Sequence, residues 1–218
     1  MKKLSLIFLV AMSLVASSVN AQNEDYKDVV SVTAGYSLFN LLAKAANTSS
    51  TGGSIATGTT ASSTPTLQLS YDHGFGKVFS LGGAVSYNSG KVVANDYEWI
   101  DANGKSSIGN YTINLSRITV AARTLFHYGN SGKLDMYSGF RVGVGIWNTS
   151  ATSSNPDFDP EDEFSRLKNG VILNAQAIPF GLRYYFTDNL GAGFETAFGG
   201  PYLASFSLQY RLGGSGRK

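Results

Sequence analysis

From residue 28 onward, apolar and small polar residues alternate with period 2, the repeat that sends successive side chains of a strand to opposite faces of a sheet. Eight segments carry the alternation and predict strands at about 28–39, 64–73, 78–89, 111–128, 134–148, 171–186, 189–199 and 202–212. In the first, Val30, Val32, Ala34, Tyr36 and Leu38 share a face opposite Ser31, Thr33, Gly35 and Ser37. In the fifth, Met136, Phe140, Val142, Val144 and Ile146 stand against Asp135, Tyr137, Gly139, Arg141, Gly143, Gly145 and Trp147. The sixth assigns Ile178, Phe180, Leu182 and Tyr184 to the apolar face, with the phase upstream of Pro179 undefined, and the last puts Tyr202, Ala204, Phe206, Leu208, Tyr210 and Leu212 there. In the fourth, Ile113 and Leu115 have the opposite parity to Ile118 and Val120, which implies either a bulge near Ser116 or a strand that has left the apolar layer. A helical period is absent except for a turn at Leu41 to Ala46.

The connections alternate too. Gly74-Phe75-Gly76-Lys77, Gly129-Asn130-Ser131-Gly132 and Thr187-Asp188-Asn189 have the chemistry of tight turns. The stretches 40–63, 89–110 and 148–170 read as long polar loops. Short turns therefore gather at one end of an up-and-down meander and long loops at the other, and an even strand number returns both termini to the short-turn end.

Period 2 fits a soluble barrel around a greasy ligand as well as a barrel in a membrane, so the decision rests on what each face can meet. The non-apolar face is mostly Gly, Ser, Thr, Asn and Gln with isolated Arg, Asp and Glu, far too little charge for the exterior of a soluble domain. Small residues suit a crowded lumen. The opposite face lacks charge, and Tyr71, Phe126, Tyr128, Tyr184, Phe186 and Tyr210 at the short-turn end, with Tyr36, Tyr87, Trp147 and Phe198 at the other, form two aromatic girdles. The fold expected is all-β: a closed antiparallel eight-stranded up-and-down transmembrane β-barrel, closed because an open edge in hydrocarbon leaves unpaired backbone groups.

Composition agrees and removes other classes. The 218 residues include 25 Gly, 12 Tyr and 13 Phe, only 15% are charged, and there is no Cys, so thiolate metal sites, a Cys nucleophile and an acylated N-terminal Cys are all excluded. Lys2 and Lys3, the apolar run Leu4 to Val15 and the small-residue site Val19-Asn20-Ala21 predict a secretory signal peptide over residues 1–21, leaving the barrel at 22–218. Without Lys2 and Lys3 the basic and acidic side chains are equal in number, and nothing suggests a nucleic-acid partner.

Candidate chemistry is confined to the lumen and the loops. Arg123, Arg141, Arg183 and Glu195 all have inward parity, and buried charges persist only when paired, so these four with Tyr137 and Tyr185 are expected to form a structural polar network that fills the barrel. The two histidines, His73 and His127, fall near the short-turn ends, where interfacial placement is expected, and no metal-ligand spacing or catalytic constellation is evident. Trp99 in the second loop and the acidic cluster Asp157, Asp159, Glu161, Asp162 and Glu163 in the third are candidates for loop recognition, since loops on a rigid scaffold carry binding. The cluster has oxygen ligands for a hard cation but no EF-hand glycine or spacing, and reads as a solvated loop.

Residues 28–212 resemble the family of small eight-stranded outer-membrane barrels: the OmpX type, the N-terminal barrel of the OmpA type, and the outer membrane protein beta-barrel domain group. The likeness is most local in Gly181-Leu182-Arg183-Tyr184-Tyr185-Phe186-Thr187-Asp188-Asn189-Leu190-Gly191, which looks like the hairpin preceding the last two strands of these proteins. Gln209-Tyr210-Arg211-Leu212 is similar to the C-terminal signal read by the barrel assembly machinery, with Ser207 where Gly is frequent and Leu212 in place of a terminal aromatic. The resemblance implies an outer-membrane protein of Gram-negative cells with periplasmic termini and outer-membrane lipid around it. It implies no enzymatic activity and no cofactor, and loops that stabilise the envelope or meet an extracellular ligand or host surface. The alternatives are a lipid-modifying outer-membrane enzyme, a narrow small-solute or ion channel, and a secreted soluble barrel.

Overall fold

A computed structural model of the protein describes residues 28–49, 58–76, 78–100, 104, 106–130, 132–154 and 170–212. Residues 1–21, expected to be a signal peptide, and the acidic cluster Asp157, Asp159, Glu161, Asp162 and Glu163 lie outside the described residues. The elements are β1 (Asp28–Tyr36), α1 (Leu38–Ser49), β2 (Thr59–Ser63), β3 (Thr66–Phe75), β4 (Phe79–Ile100), β5 (Ser106–Asn130), β6 (Leu134–Ser153), β7 (Val171–Tyr185), β8 (Leu190–Gly199) and β9 (Ala204–Leu212).

With β2 set aside, every strand has two antiparallel neighbours, β4 pairs with β5, and β1 pairs with β9, so eight strands close into a meander barrel without a free edge. β2 adds to β4 on the edge that β3 occupies lower down, and Thr64 bridges the two by donating its backbone N–H to the Ser89 carbonyl, so the line of β3 is prolonged rather than a ninth stave added. The register carries one apolar ring around the outside, from Leu208 through Val32, Leu69, Val85, Val120 and Val144 to Leu173. Followed the other way from Leu208, through Ala192, the ladder reaches β7 at Tyr184. The two paths miss by several residues, which is the stagger that tilts the strands of a closed barrel.

The apolar face is the outside. Leu69 is 57% exposed and Phe206 70%, and no Asp, Glu, Lys or Arg stands on that face between the two aromatic girdles among the described residues. An exterior of this kind is stable in hydrocarbon, where every backbone group must be bonded within the protein, a condition the closed ladder meets. Gly76 and Gly132 take positive φ in two of the short turns, where a side chain would be strained.

Several local expectations are corrected. Residues 89–110 are not a long loop: β4 and β5 continue as a paired hairpin far beyond the apolar belt, up to Ile100 opposite Ser106, and β6 follows to Ser153. Alternation of apolar with polar residues ends at Tyr87, but the ladder continues through Thr, Val and Tyr, residues that favour a strand. Residues 40–63 contain α1 and β2 in addition to loop. The helix starts earlier than the expected turn at Leu41 because Ser37 caps it. The side chain of Asn40, three residues on, reaches back to accept the Ser37 backbone N–H at 2.8 Å and its hydroxyl at 2.9 Å, while the Ser37 carbonyl accepts the backbone N–H groups of Asn40 and Leu41. No bulge occurs at Ser116, which lies in unbroken register with Ser89 and Asn148. The parity change at Ile113 and Leu115 marks a strand that has left the belt. Register shifts are found instead at Ala94/Tyr97, Tyr128/Asn130, Tyr137/Gly139 and Ala177/Phe180. The last two bracket Pro179 and turn Ile178 into the lumen, where it is almost fully buried rather than facing outward.

Candidate functional site

The interior is built around Glu195 on β8. Its carboxylate accepts from Arg123 of β5 at 2.8 Å, from Arg141 of β6 at 2.6 Å, from the Tyr137 hydroxyl at 2.6 Å and from the Tyr202 hydroxyl. Four donors on one carboxylate fill its lone-pair directions, which is what allows a charge to remain buried. Arg123 also meets Asp72 of β3 at 3.0 Å, and Arg183 of β7 meets the other Asp72 oxygen at 2.7 Å and Asp135 of β6 at 3.5 Å. Three guanidinium groups, each at most 2% exposed, are thus interleaved with three carboxylates in a neutral, cross-barrel lattice. The lattice joins five strands, β3, β5, β6, β7 and β8, across the barrel.

Aromatic rings and amides complete it. Arg183 lies over the Tyr137 ring at 4.5 Å and Arg141 over Tyr202 at 4.9 Å. Gln176 links Arg141 to the Tyr202 carbonyl, to which its amide donates at 2.6 Å. Toward the short-turn end Arg211 stacks on Tyr185 at 3.2 Å and donates to the Gly132 carbonyl at 3.3 Å. At the opposite end Arg117 donates to Asn88 and to the Pro201 carbonyl, with its guanidinium near the rings of Phe39 and Trp147. The Phe39 ring meets Trp147 edge-on at 5.4 Å, so α1 is seated over the inner face of the mouth.

All six residues expected in the lumen, Arg123, Arg141, Arg183, Glu195, Tyr137 and Tyr185, are buried there, the first five in the lattice and Tyr185 just below it beside Gln209 and Arg211. Sequence reasoning missed Asp72, Asp135, Gln176 and Tyr202. Asp72 and Asp135 had the inward parity, so the signal was present. Tyr202 was expected outside, but Ala204 and not Tyr202 opens β9, and the Gly199-Gly200-Pro201 turn delivers the ring inward. Trp147 faces the lumen and is not part of the outer girdle. Trp99 lies in the β4–β5 ladder opposite Ser107 and not in a loop.

His73 stays at the rim beside Asp28, as an interfacial residue would. His127 does not: it is buried inside, with Nδ1 on Asp135 at 2.8 Å and Nε2 on the Ser80 hydroxyl at 2.9 Å. A Ser-His-Asp chain with such spacing is also the arrangement that activates a serine. Here, however, Ser80 is 4% exposed inside the barrel, and Asp135 is shared with Arg183. In this conformation the relay closes on the lattice and presents no hydroxyl to a substrate.

Gly181 shows how tightly the lattice is fitted. A Cβ there would overlap the Tyr137 ring, and that ring carries both the Glu195 hydrogen bond and the Arg183 stack. Gly181→Val is therefore expected to displace Tyr137 and lower the unfolding midpoint in urea by an amount worth at least about 2 kcal/mol, the upper range of overpacking. A midpoint equal to that of the parent would show that the ring has slack.

No protein-family model matches the chain, and no curated protein sequence matches it. Among solved structures it is similar to Ail, the attachment invasion locus protein of Yersinia pestis, in complex with the heparin analogue sucrose octasulfate. The identity there is 12% and the TM-score 0.39, over 85% of this chain and 99% of that one. It is also similar to the N-terminal β-barrel domain of OprF from Pseudomonas aeruginosa, with 16% identity and a TM-score of 0.42 over 87% and 100%. What the ladder of this chain establishes by itself is a closed eight-stranded antiparallel barrel with an apolar exterior and an ion-paired interior.

Proposed function

We propose that this protein is a non-enzymatic integral barrel of the outer membrane, with both termini in the periplasm, whose lumen is a permanent plug. Its strand extensions would act at the cell surface in envelope stabilisation or in recognition of an extracellular ligand or host surface. The observation that carries the reading is the inversion of a soluble protein: charge is concentrated inside and the leucines and phenylalanines are outside. Outer-membrane lipid covers the belt, and β9, bearing Gln209-Tyr210-Arg211-Leu212, is the strand the assembly machinery would engage during biogenesis. The position of the β4–β5 hairpin at the end opposite the short turns supports a surface role, because it raises a rigid platform above the belt.

Membrane fractionation and gel mobility test this. The protein is expected in the detergent-extracted fraction and to migrate faster when left unheated, as a barrel that resists dodecyl sulfate does; recovery in the aqueous fraction without detergent would end the proposal. A second reading, a lumenal serine hydrolase, rests on the Ser80-His127-Asp135 chain. A fluorophosphonate probe is expected to leave the folded barrel unlabelled, and Ser80-dependent labelling would favour the enzyme.

A further inference from the structure

The outward face of three neighbouring strands changes character at one height. Below it stand Val85 and Tyr87 on β4, Val120 and Ile118 on β5, and Val144 and Ile146 on β6, all well exposed. The next outward positions are Ser89 and Lys91, Ser116 and Asn114, and Asn148 and Ser150. Because Tyr87, Ile118 and Ile146 are register partners, the change occurs along one line across the sheet. A simultaneous switch on three strands marks the boundary where hydrocarbon gives way to headgroups, with Tyr87 as the interfacial aromatic.

Just above that line the surface is hollow. A cleft of about 490 Å³ opens between the β2 extension and the outer faces of β4, β5 and β6, with Tyr87 at its lower edge and Ser62, Lys91, Asn114, Asn148 and Ser150 around it. One wall is β2 itself, which prolongs the line of β3 beside β4; the Thr64 hydroxyl fixes that wall by accepting the Ser89 backbone N–H at 3.0 Å. The lining is chemically specific. Hydroxyls and carboxamides offer both donors and acceptors, as sugar hydroxyls require, and Lys91 adds a single cation among neutral groups. Phosphate recognition alone would call for clustered Arg and Lys. Acyl chains would call for an apolar lining.

Resting on the membrane reading above, we propose that this cleft binds the phosphorylated sugar headgroup of a glycolipid in the outer leaflet. The acyl chains lie against the Val85, Ile118 and Ile146 belt, the sugar hydroxyls meet Asn114, Asn148 and Ser150, and a phosphate meets Lys91. One lipid thereby touches the hydrocarbon belt and the platform at once, which ties the hairpin to the membrane surface.

The test uses the full mature barrel refolded in detergent, titrated with purified lipid A, with phosphatidylglycerol, and with the sugar headgroup freed of its acyl chains, binding being read by native mass spectrometry. Lipid A is expected to bind at least about tenfold more tightly than either of the others. Lys91→Ala with Asn148→Ala is expected to weaken lipid A about fivefold or more, leaving phosphatidylglycerol binding and the heat-dependent gel shift unchanged. Equal affinity for lipid A and phosphatidylglycerol would overturn the proposal. So would a free headgroup that binds as tightly as the lipid, or a double variant that keeps parental affinity while retaining its gel shift. Failure of the membrane reading shows separately, as recovery of the protein without detergent.

Discussion

Glu195→Ala is expected to cost the barrel about 3–5 kcal/mol, the usual penalty for breaking a buried ion pair from one side. The substitution removes the acceptor shared by Arg123, Arg141, Tyr137 and Tyr202, and leaves two guanidinium groups facing each other across the space it vacates. Arg123 keeps Asp72, but Arg141 has only Gln176 and the Tyr202 ring to replace the lost charge. Urea titration in detergent micelles, read by tryptophan fluorescence and the gel shift together, should show the midpoint falling. Pairing the change with Arg141→Met should restore part of the loss, because it removes the stranded cation along with the missing anion. A single variant that melts with the parent would mean that the lattice is hydrated and contributes nothing to holding the strands in place. A double variant that is less stable than the single one by the full cost of Arg141 would mean that the two side chains are not coupled.

The barrel was legible in the sequence because a charged interior and an apolar exterior leave a strict trace: every one-residue slip would exchange an arginine for a leucine between the two faces. Within the belt, parity alone put Arg123, Arg141, Arg183 and Glu195 on one side. The reading failed wherever that discipline lapsed. Around Pro179 and around Pro201 the register shifts or the strand has not yet begun, so Ile178 and Tyr202 keep the parity of the outer face while pointing inward. Above the belt the β4–β5 hairpin stays paired without the apolar alternation, so the sequence of a paired strand looks like that of a polar loop. The α1 helix is short and held by the Asn40 cap and by Phe39 against Trp147, a tertiary contact that no local period announces.

The missed members of the site have a different origin. Asp72 and Asp135 were on the correct face, but parity gives no depth, and only the tilt and stagger of the closed barrel bring β3 and β6 carboxylates to the same guanidinium of Arg183. His127 was misplaced for the same reason, because a position near a turn on a tilted strand can still lie well inside when its side chain points inward.

Val142→Arg tests the claim on which all of this stands, that hydrocarbon wets the outer face. Val142 is exposed, points outward, and pairs with Ala122 and Ala175 near the middle of the apolar band. On a soluble barrel an arginine at such a position would be solvated and change stability by less than about 0.5 kcal/mol. In a bilayer it faces lipid on all sides, and the cost at mid-depth is about 2–4 kcal/mol, falling to about 0–1 near the interface. The informative comparison is therefore with Ser150→Arg, which lies on the same face of the same strand but above the line where Tyr87, Ile118 and Ile146 end the belt. Folding into lipid vesicles, followed by the unheated gel band across a urea series, should separate the two by at least about 1 kcal/mol, with Val142→Arg the weaker. Equal midpoints would place water along the whole strand, and the charge lattice would then have to be explained as the interior of a soluble protein.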